Sequence, residues 1–137
     1  MSIQTQIETY IESLVQPKQT ELRKLFAFIK NTLPQSNLSF LDGRDEKGKV
    51  VTNPNIGFGE CVLNYADGSS RAFYKIGISA TSKGLSIYIM GLADKNLLRN
   101  KLEDKLGKAT ITGYCISFKK LEDINQALLK EVLLELF

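Results

Sequence analysis

The alternation of apolar and polar side chains over residues 57–90 constrains this chain more than any other feature. Side chains on a β-strand point to opposite faces in turn, so an alternating stretch predicts strands with one buried face. Asp67-Gly68 interrupts the alternation, and this dipeptide is a strong signal for a hairpin turn. Residues 80–83 (ATSK) interrupt it again and predict the next loop. We therefore expect three consecutive antiparallel strands in this stretch.

The two turns together predict which residues face each other. If Asp67-Gly68 is a two-residue turn, the register of the first hairpin follows from the turn length. Its predicted pairs are Asn64–Arg71, Leu63–Ala72, Val62–Phe73, Cys61–Tyr74 and Glu60–Lys75. Pairing Ser79 with Gly84 across the next loop defines the second hairpin in the same way. Its predicted pairs are Ile76–Ile87, Lys75–Tyr88 and Phe73–Met90.

This register divides the side chains between a core face and a second face. The predicted core face consists of Cys61, Leu63, Tyr74, Ile76, Ile78, Leu85, Ile87 and Ile89. The predicted second face carries the rows Glu60–Lys75–Tyr88 and Val62–Phe73–Met90. An apolar row of this kind is larger than a face exposed to water needs. We therefore predict a binding surface for a small ligand or a second copy of the chain, made of Lys75, Tyr88, Glu60, Phe73 and Met90. In the alternative, helices of the chain itself cover this face.

Helical spacing of apolar residues frames the strands on both sides. The predicted helices are two in the N-terminal third, one over about 94–106 and one over about 125–136. Strands at 38–41 and 110–119 extend the sheet, and residues 42–55, rich in Gly, Asp and Lys, are expected to form a long loop. This order predicts an α+β fold, a two-layer sandwich in which a largely antiparallel sheet of about five strands packs with the N-terminal, middle and C-terminal helices. We expect a single domain over residues 1–137.

The chain contains no histidine, which removes much chemistry. It has no Ser-His-Asp or Cys-His pair and no imidazole metal ligand. Its two cysteines, Cys61 and Cys115, lack CxxC spacing, so we assign no catalytic residue, no metal ligand and no cofactor. If the chain is an enzyme, acid–base chemistry falls to Glu60, Lys75, Tyr88 or Cys115.

The charge balance points away from nucleic acids. The chain has 18 basic and 15 acidic residues and a formal net charge of +3, which is too mild for a phosphate-backbone partner. No apolar run reaches the roughly 18 residues of a membrane helix, so we expect no membrane partner. No signal-peptide pattern is visible near the start, and we expect a cytoplasmic protein.

Four segments resemble the YdhG-like family, a domain of unknown function. They are IGFGECVLNYADGS (56–69), GLSIYIM (84–90), LGKATITGYC (106–115) and KKLEDINQALLKEVL (119–133). The resemblance runs from residue 56 to the C-terminus and implies a compact fold related in outline to frataxin.

Frataxin-like iron handling is therefore an alternative function. Hard cations bind through clustered carboxylates, and the candidates do not form a dense acidic ridge. These candidates are Glu8, Glu12, Asp42, Asp45 and Glu46.

We predict that Cys61 and Cys115 are not bonded to each other. The alternation places Cys61 on the core face and Cys115 on the other, and a reducing compartment keeps thiols free. The intact mass of the native protein should therefore be the same before and after reduction. A gain of two hydrogens on reduction would contradict this prediction.

Overall fold

One antiparallel sheet of six strands organises the computed structural model, which describes residues 2–137 and leaves Met1 of the predicted domain outside. The helices are α1 (Ile3–Ser13), α2 (Lys18–Thr32), α3 (Leu97–Leu102) and α4 (Gln126–Leu136), with a 3-10 turn at Leu121–Asp123. The strands are β1 (Leu38–Leu41), β2 (Asn55–Phe58), β3 (Cys61–Asn64), β4 (Ser70–Phe73), β5 (Ile76–Thr81), β6 (Gly84–Ile89), β7 (Thr110–Ile111) and β8 (Cys115–Phe118). The sheet has the order β1-β2-β5-β6-β8-β7, and β3 pairs with β4 in a separate hairpin. The predicted α+β sandwich with an antiparallel sheet is confirmed.

The extra strand arises because the stretch predicted as one strand over 110–119 folds back on itself. Thr110 in β7 pairs with Ser117 in β8. The turn between them is held by Thr112, whose hydroxyl accepts a hydrogen bond from the Cys115 N–H at 3.1 Å. This turn also carries Tyr114, so its geometry decides where that ring lies.

The helix ends follow local capping chemistry. The Ser2 hydroxyl accepts from the Thr5 N–H at 3.1 Å and caps the start of α1. The Asn125 side chain accepts from the Leu128 N–H at 3.0 Å and caps α4 in the same way. The middle helix is shorter than predicted, because Asp104 takes a left-handed φ of 64° and ends regular helix before residue 106.

All four helices pack against one face of the sheet in a single apolar core. The strands contribute Ile56, Phe58, Ile76, Ile78, Leu85, Ile87, Ile89, Ile116 and Phe118 to this core. The predicted core positions from residue 76 onward are therefore confirmed. Cys61, Leu63 and Tyr74 lie outside the core cluster, and their prediction as core residues is wrong. Because side chains alternate along a strand, the residues between the core positions point to the opposite face, which we call the open face.

The first hairpin is shifted by one residue from the predicted register. Residues 65–69 form its loop, in which the Tyr65 N–H donates to the Ser69 carbonyl at 2.9 Å. The Asp67 carboxylate accepts from the Ser69 N–H at 2.9 Å and from its hydroxyl at 2.6 Å, so Asp67 stabilises a loop longer than the Asp-Gly dipeptide suggests. The observed pairs are Asn64–Ser70, Leu63–Arg71, Val62–Ala72 and Cys61–Phe73. The predicted pairs Glu60–Lys75 and Val62–Phe73 are wrong.

The second hairpin is shifted by two residues. Thr81 pairs with Gly84, so the turn is confined to residues 82–83. The observed pairs include Ile76–Ile89, Gly77–Tyr88 and Ser79–Ser86. The predicted pairs Ile76–Ile87, Lys75–Tyr88 and Phe73–Met90 are wrong. A shift of two leaves each side chain of these strands on its predicted face, which is why the core prediction survives here.

The hairpin of β3 and β4 continues the ribbon that β2 and β5 begin. Phe58 pairs with Ile76 in the sheet, and Cys61 pairs with Phe73 at the same register farther along both strands. Gly59 lies between them with a φ of 71°, a left-handed conformation that glycine adopts without steric cost. The ribbon leaves the six-stranded sheet at this point.

A buried carboxylate links the N-terminal and C-terminal halves of the helical layer. Glu21 on α2 is 7% exposed and accepts from the Leu121 N–H at 3.0 Å. Lys24, one turn later, lies 3.5 Å from the other carboxylate oxygen. This contact joins residues that are 100 positions apart, so no local pattern predicts it.

We predict that Glu21→Ala lowers the free energy of unfolding by about 1–3 kcal/mol, because the Leu121 N–H loses its buried acceptor. Glu21→Gln keeps an acceptor oxygen and should cost less. Urea unfolding followed by far-UV circular dichroism measures both. The exposed Glu12→Ala serves as the control and should change little; equal effects of all three substitutions would contradict the prediction.

Candidate functional site

Two glycines that face each other create a slot on the open face. Gly57 in β2 pairs with Gly77 in β5, and the strand neighbours of both residues point into the core. A side chain at either position would overlap Tyr74, whose ring lies over the pair. Glycine inside a strand marks a close approach of another group, and here that group is the Tyr74 ring. Tyr74 is 7% exposed although it lies on the open face, with its ring packed over the two glycines and beside Phe73.

Further aromatic rings lie beside this slot. The Phe73 ring centroid is 4.2 Å from that of Tyr74. The rings of Tyr88 in β6 and Tyr114 in the β7–β8 turn stack with their centroids 6.2 Å apart and an interplanar angle of 28°. Tyr88 in β6 pairs with Gly77 in β5, so Tyr88 lies next to the slot. The open face thus has an aromatic surface, defined here as Phe73, Tyr74, Tyr88 and Tyr114.

A groove of about 720 Å³ runs over the aromatic surface. Met90 and Asn55 also line it, and residues from the loop over 42–53 line it from another part of the chain. Ligand pockets usually fall between about 300 and 1,000 Å³ and combine apolar lining with a few polar groups. The groove has both properties, since its polar side chains include Asn55, Asp42, Arg44 and Arg71.

Arg71 stands at the junction of this groove with a smaller one. Its guanidinium carbon lies 5.0 Å from the Phe73 ring centroid, a cation–π contact. Both residues also line the second groove of about 230 Å³. Arg71 was not among the predicted site residues, although it lies two residues before Phe73 and alternation places the two side chains on the same face.

The structure brings three of the five predicted site residues together. Phe73, Tyr88 and Met90 line the large groove, while Lys75 and Glu60 do not. The Lys75 ammonium donates to the Met90 carbonyl at 2.9 Å, so it is held by the backbone of the neighbouring strand. Glu60 is exposed and lines the smaller groove.

Sequence reasoning missed Tyr74, Tyr114 and the loop over 42–53. The one signal for Tyr74 was the presence of Gly57 and Gly77 in otherwise apolar strands, since such glycines leave room for a ring. No sequence pattern predicted that this loop approaches the open face, because the composition of a loop does not specify where the loop packs.

Within residues 2–137, no hydrogen bond or ion pair joins any two of the acid–base candidates Glu60, Lys75, Tyr88 and Cys115. The Cys115 thiol lies 3.5 Å from the Ser117 hydroxyl, and the Cys61 thiol donates to the Tyr74 carbonyl at 3.4 Å. Both cysteines are free, as predicted. Burial raises the pKa of the Tyr88 phenol, with the nearby Cys115 as the second cause, so Tyr88 stays protonated at neutral pH.

Residues 2–137 contain neither a metal-binding cluster nor a membrane-spanning helix. No group of three or more Cys, Asp or Glu side chains in this range is arranged to hold a metal ion. No helix in the same range is long and apolar enough to cross a membrane.

Comparisons with protein-family models, with curated proteins and with solved structures found no match to this chain.

The tyrosines of the open face predict a specific loss of stability at high pH. Burial is the main cause that raises the pKa of Tyr74, with the neighbouring Tyr88 phenol as the second. Unfolded tyrosine titrates near 10, so the stabilisation is complete below about pH 10 and is lost as pH rises toward the folded pKa.

Tyr74→Phe should therefore reduce the fall in the free energy of unfolding between pH 9.5 and roughly 11, as measured by urea titrations at each pH. Tyr65→Phe, at an exposed loop position, is the control and should keep the wild-type slope. Identical slopes for all three proteins would contradict the assignment.

Proposed function

We propose that this protein is a small-molecule binding domain whose site is the groove over the open face of the sheet. The observation that carries the proposal is the one-sided helical layer. Every helix packs into the same core, and the large groove runs over the face left open, reaching the helical layer at Gln6 of α1. The aromatic surface supplies apolar contact area there. The few polar groups around it can orient a ligand.

The shape of this region favours a small ligand over a second copy of the chain. Two parts of the sequence, the loop over 42–53 and the β4 strand, line the groove together and make it concave. A self-complementary dimer interface needs the same patch on both copies, with roughly 800 Å² buried on each. The exposed apolar residues Val62 and Tyr65 lie on the β3–β4 hairpin, away from the groove lining.

The proposal also includes the family and the cellular location that we predicted from the sequence. A YdhG-like domain with a frataxin-like outline and a cytoplasmic location is consistent with a small α+β binding protein. Iron handling and His-independent catalysis remain the alternatives from sequence, and no arrangement of side chains in residues 2–137 favours either.

Two-dimensional ¹H–¹⁵N NMR with a library of flat apolar fragments tests the proposal. We expect shifts at Tyr74, Tyr88 and Tyr114, and a loss of fragment affinity of about tenfold in Tyr114→Ala, since a stacked aromatic contact is worth about 0.5–1.5 kcal/mol beyond its area. Tyr114 is 54% exposed, so its removal should leave the fold intact. Tyr65→Ala, at 47% exposure on the hairpin loop, is the matched control.

Two outcomes would overturn the small-molecule site. One is a set of fragment-induced chemical-shift changes centred elsewhere, for example on Lys101, Lys105 and Lys108 in and after α3. The other is a concentration-dependent doubling of the mass, by light scattering, that broadens the same tyrosine signals, because a second copy would then occupy the groove.

A further inference from the structure

We infer that the ligand of this groove is an anion with a flat ring, of the aromatic or heteroaromatic carboxylate class; the inference rests on the proposed binding function. Aromatic lining alone does not specify ligand charge, since tyrosine and phenylalanine faces also attract ammonium groups. The charged side chains around the aromatic surface decide the question.

Arg71 is the side chain that determines which ligand charge the groove favours. It lines the groove and is exposed, and its guanidinium lies over the Phe73 face. Across residues 2–137, no carboxylate comes within 4.0 Å of it. A guanidinium has five N–H donors in a planar fork that matches a carboxylate, and the stacking contact leaves these donors available.

The loop over 42–53 adds a second cation to the same groove. The Arg44 guanidinium donates to the Gly48 carbonyl at 2.8 Å, which anchors the side chain within its own loop. Asp42 is the only carboxylate in the groove lining, and one of its oxygens accepts from the Arg44 N–H at 2.9 Å. The lining residues therefore include two arginines and one aspartate, so an anionic ligand is favoured over a cationic one.

The aromatic surface accounts for the flat ring. Tyr74 is held against the sheet by the Gly57–Gly77 slot and forms part of the floor of the groove. The stacked Tyr88 and Tyr114 lie at the same groove. Phe73 already has Arg71 over it, so a cationic ligand would compete with a resident cation there, whereas a carboxylate would pair with that cation.

Three probes of one shape and different charge test the inference: 2-naphthoate, 2-naphthylmethanol and 2-naphthylmethylammonium. Their dissociation constants are measured by NMR titration of the full chain at pH 7.5 and low salt. We expect 2-naphthoate to bind at least about tenfold more tightly than the alcohol, because a hydrogen bond to a charged group is worth about 1.5–3 kcal/mol. The ammonium should bind most weakly, and 0.5 M NaCl should reduce the preference for the anion.

Substitutions test which side chain is responsible for the preference for 2-naphthoate. Arg71→Gln should bring 2-naphthoate to the affinity of the alcohol, and Arg71→Lys should retain part of the preference, since it keeps the charge and loses the planar fork. Arg23→Gln removes an exposed arginine that pairs with Glu8 on the helical side and should change nothing. Unchanged circular dichroism spectra and melting temperatures establish that each variant is folded.

The possible results separate this inference from the proposed function. Equal binding of all three probes, or tighter binding of the ammonium, overturns the anion inference and leaves the binding function in place. A preference for 2-naphthoate that survives in Arg71→Gln overturns the assignment to Arg71. Failure of every probe to bind overturns both proposals.

Discussion

One-sided burial of the sheet is the constraint on which the rest of the structure depends. Five isoleucines from three adjacent strands are fully buried against the helices: Ile56, Ile76, Ile78, Ile87 and Ile89. Burial of one such side chain contributes roughly 1.5–3 kcal/mol, so this row is comparable to the net stability of a whole domain, about 5–15 kcal/mol. The residues between the isoleucines must point the other way, and the open face is the direct consequence.

The ribbon formed by β2 and β5 and continued by β3 and β4 determines which side chains lie on the open face. Gly57 and Gly77 have no side chains to occupy the space above the sheet, and the ribbon leaves the sheet at Gly59. Tyr74, two residues before the start of β5, lies across the glycines instead of continuing the alternation. Its ring contacts Phe73, and the Phe73 ring contacts the Arg71 guanidinium. A groove with aromatic lining and an accessible cation therefore follows from a backbone feature that takes up only a few residues.

Lys75 and Arg71 show why a cation in a strand cannot be assigned a role from pattern alone. The alternation selected Lys75 as the charged group of the site, but its ammonium is held by the Met90 carbonyl on the next strand. Arg71 shares the face of Phe73 by the same alternation, but nothing in the pattern distinguishes a cation that is held by the backbone from one that is accessible. The loop over 65–69, where the Asp67 side chain bonds twice to Ser69, changed only the cross-strand partner of Arg71.

Local sequence was sufficient for the elements and for the inner face. The 3.6-residue spacing places three of the four helices within a few residues of their observed bounds, and the two-residue spacing from Ile76 to Ile89 identifies the core side of β5 and β6 even though the pairing was shifted by two. Both periodicities are properties of neighbouring residues, so the sequence by itself determined them, and with them the α+β class.

Tertiary structure alone decided the site. The burial of Glu21 against Leu121, the placing of every helix on one face, and the meeting of Arg71 with the loop over 42–53 all join parts of the chain far apart in sequence. Such contacts depend on which packing buries the most apolar surface while satisfying every buried polar group, and that choice is made by the whole chain at once.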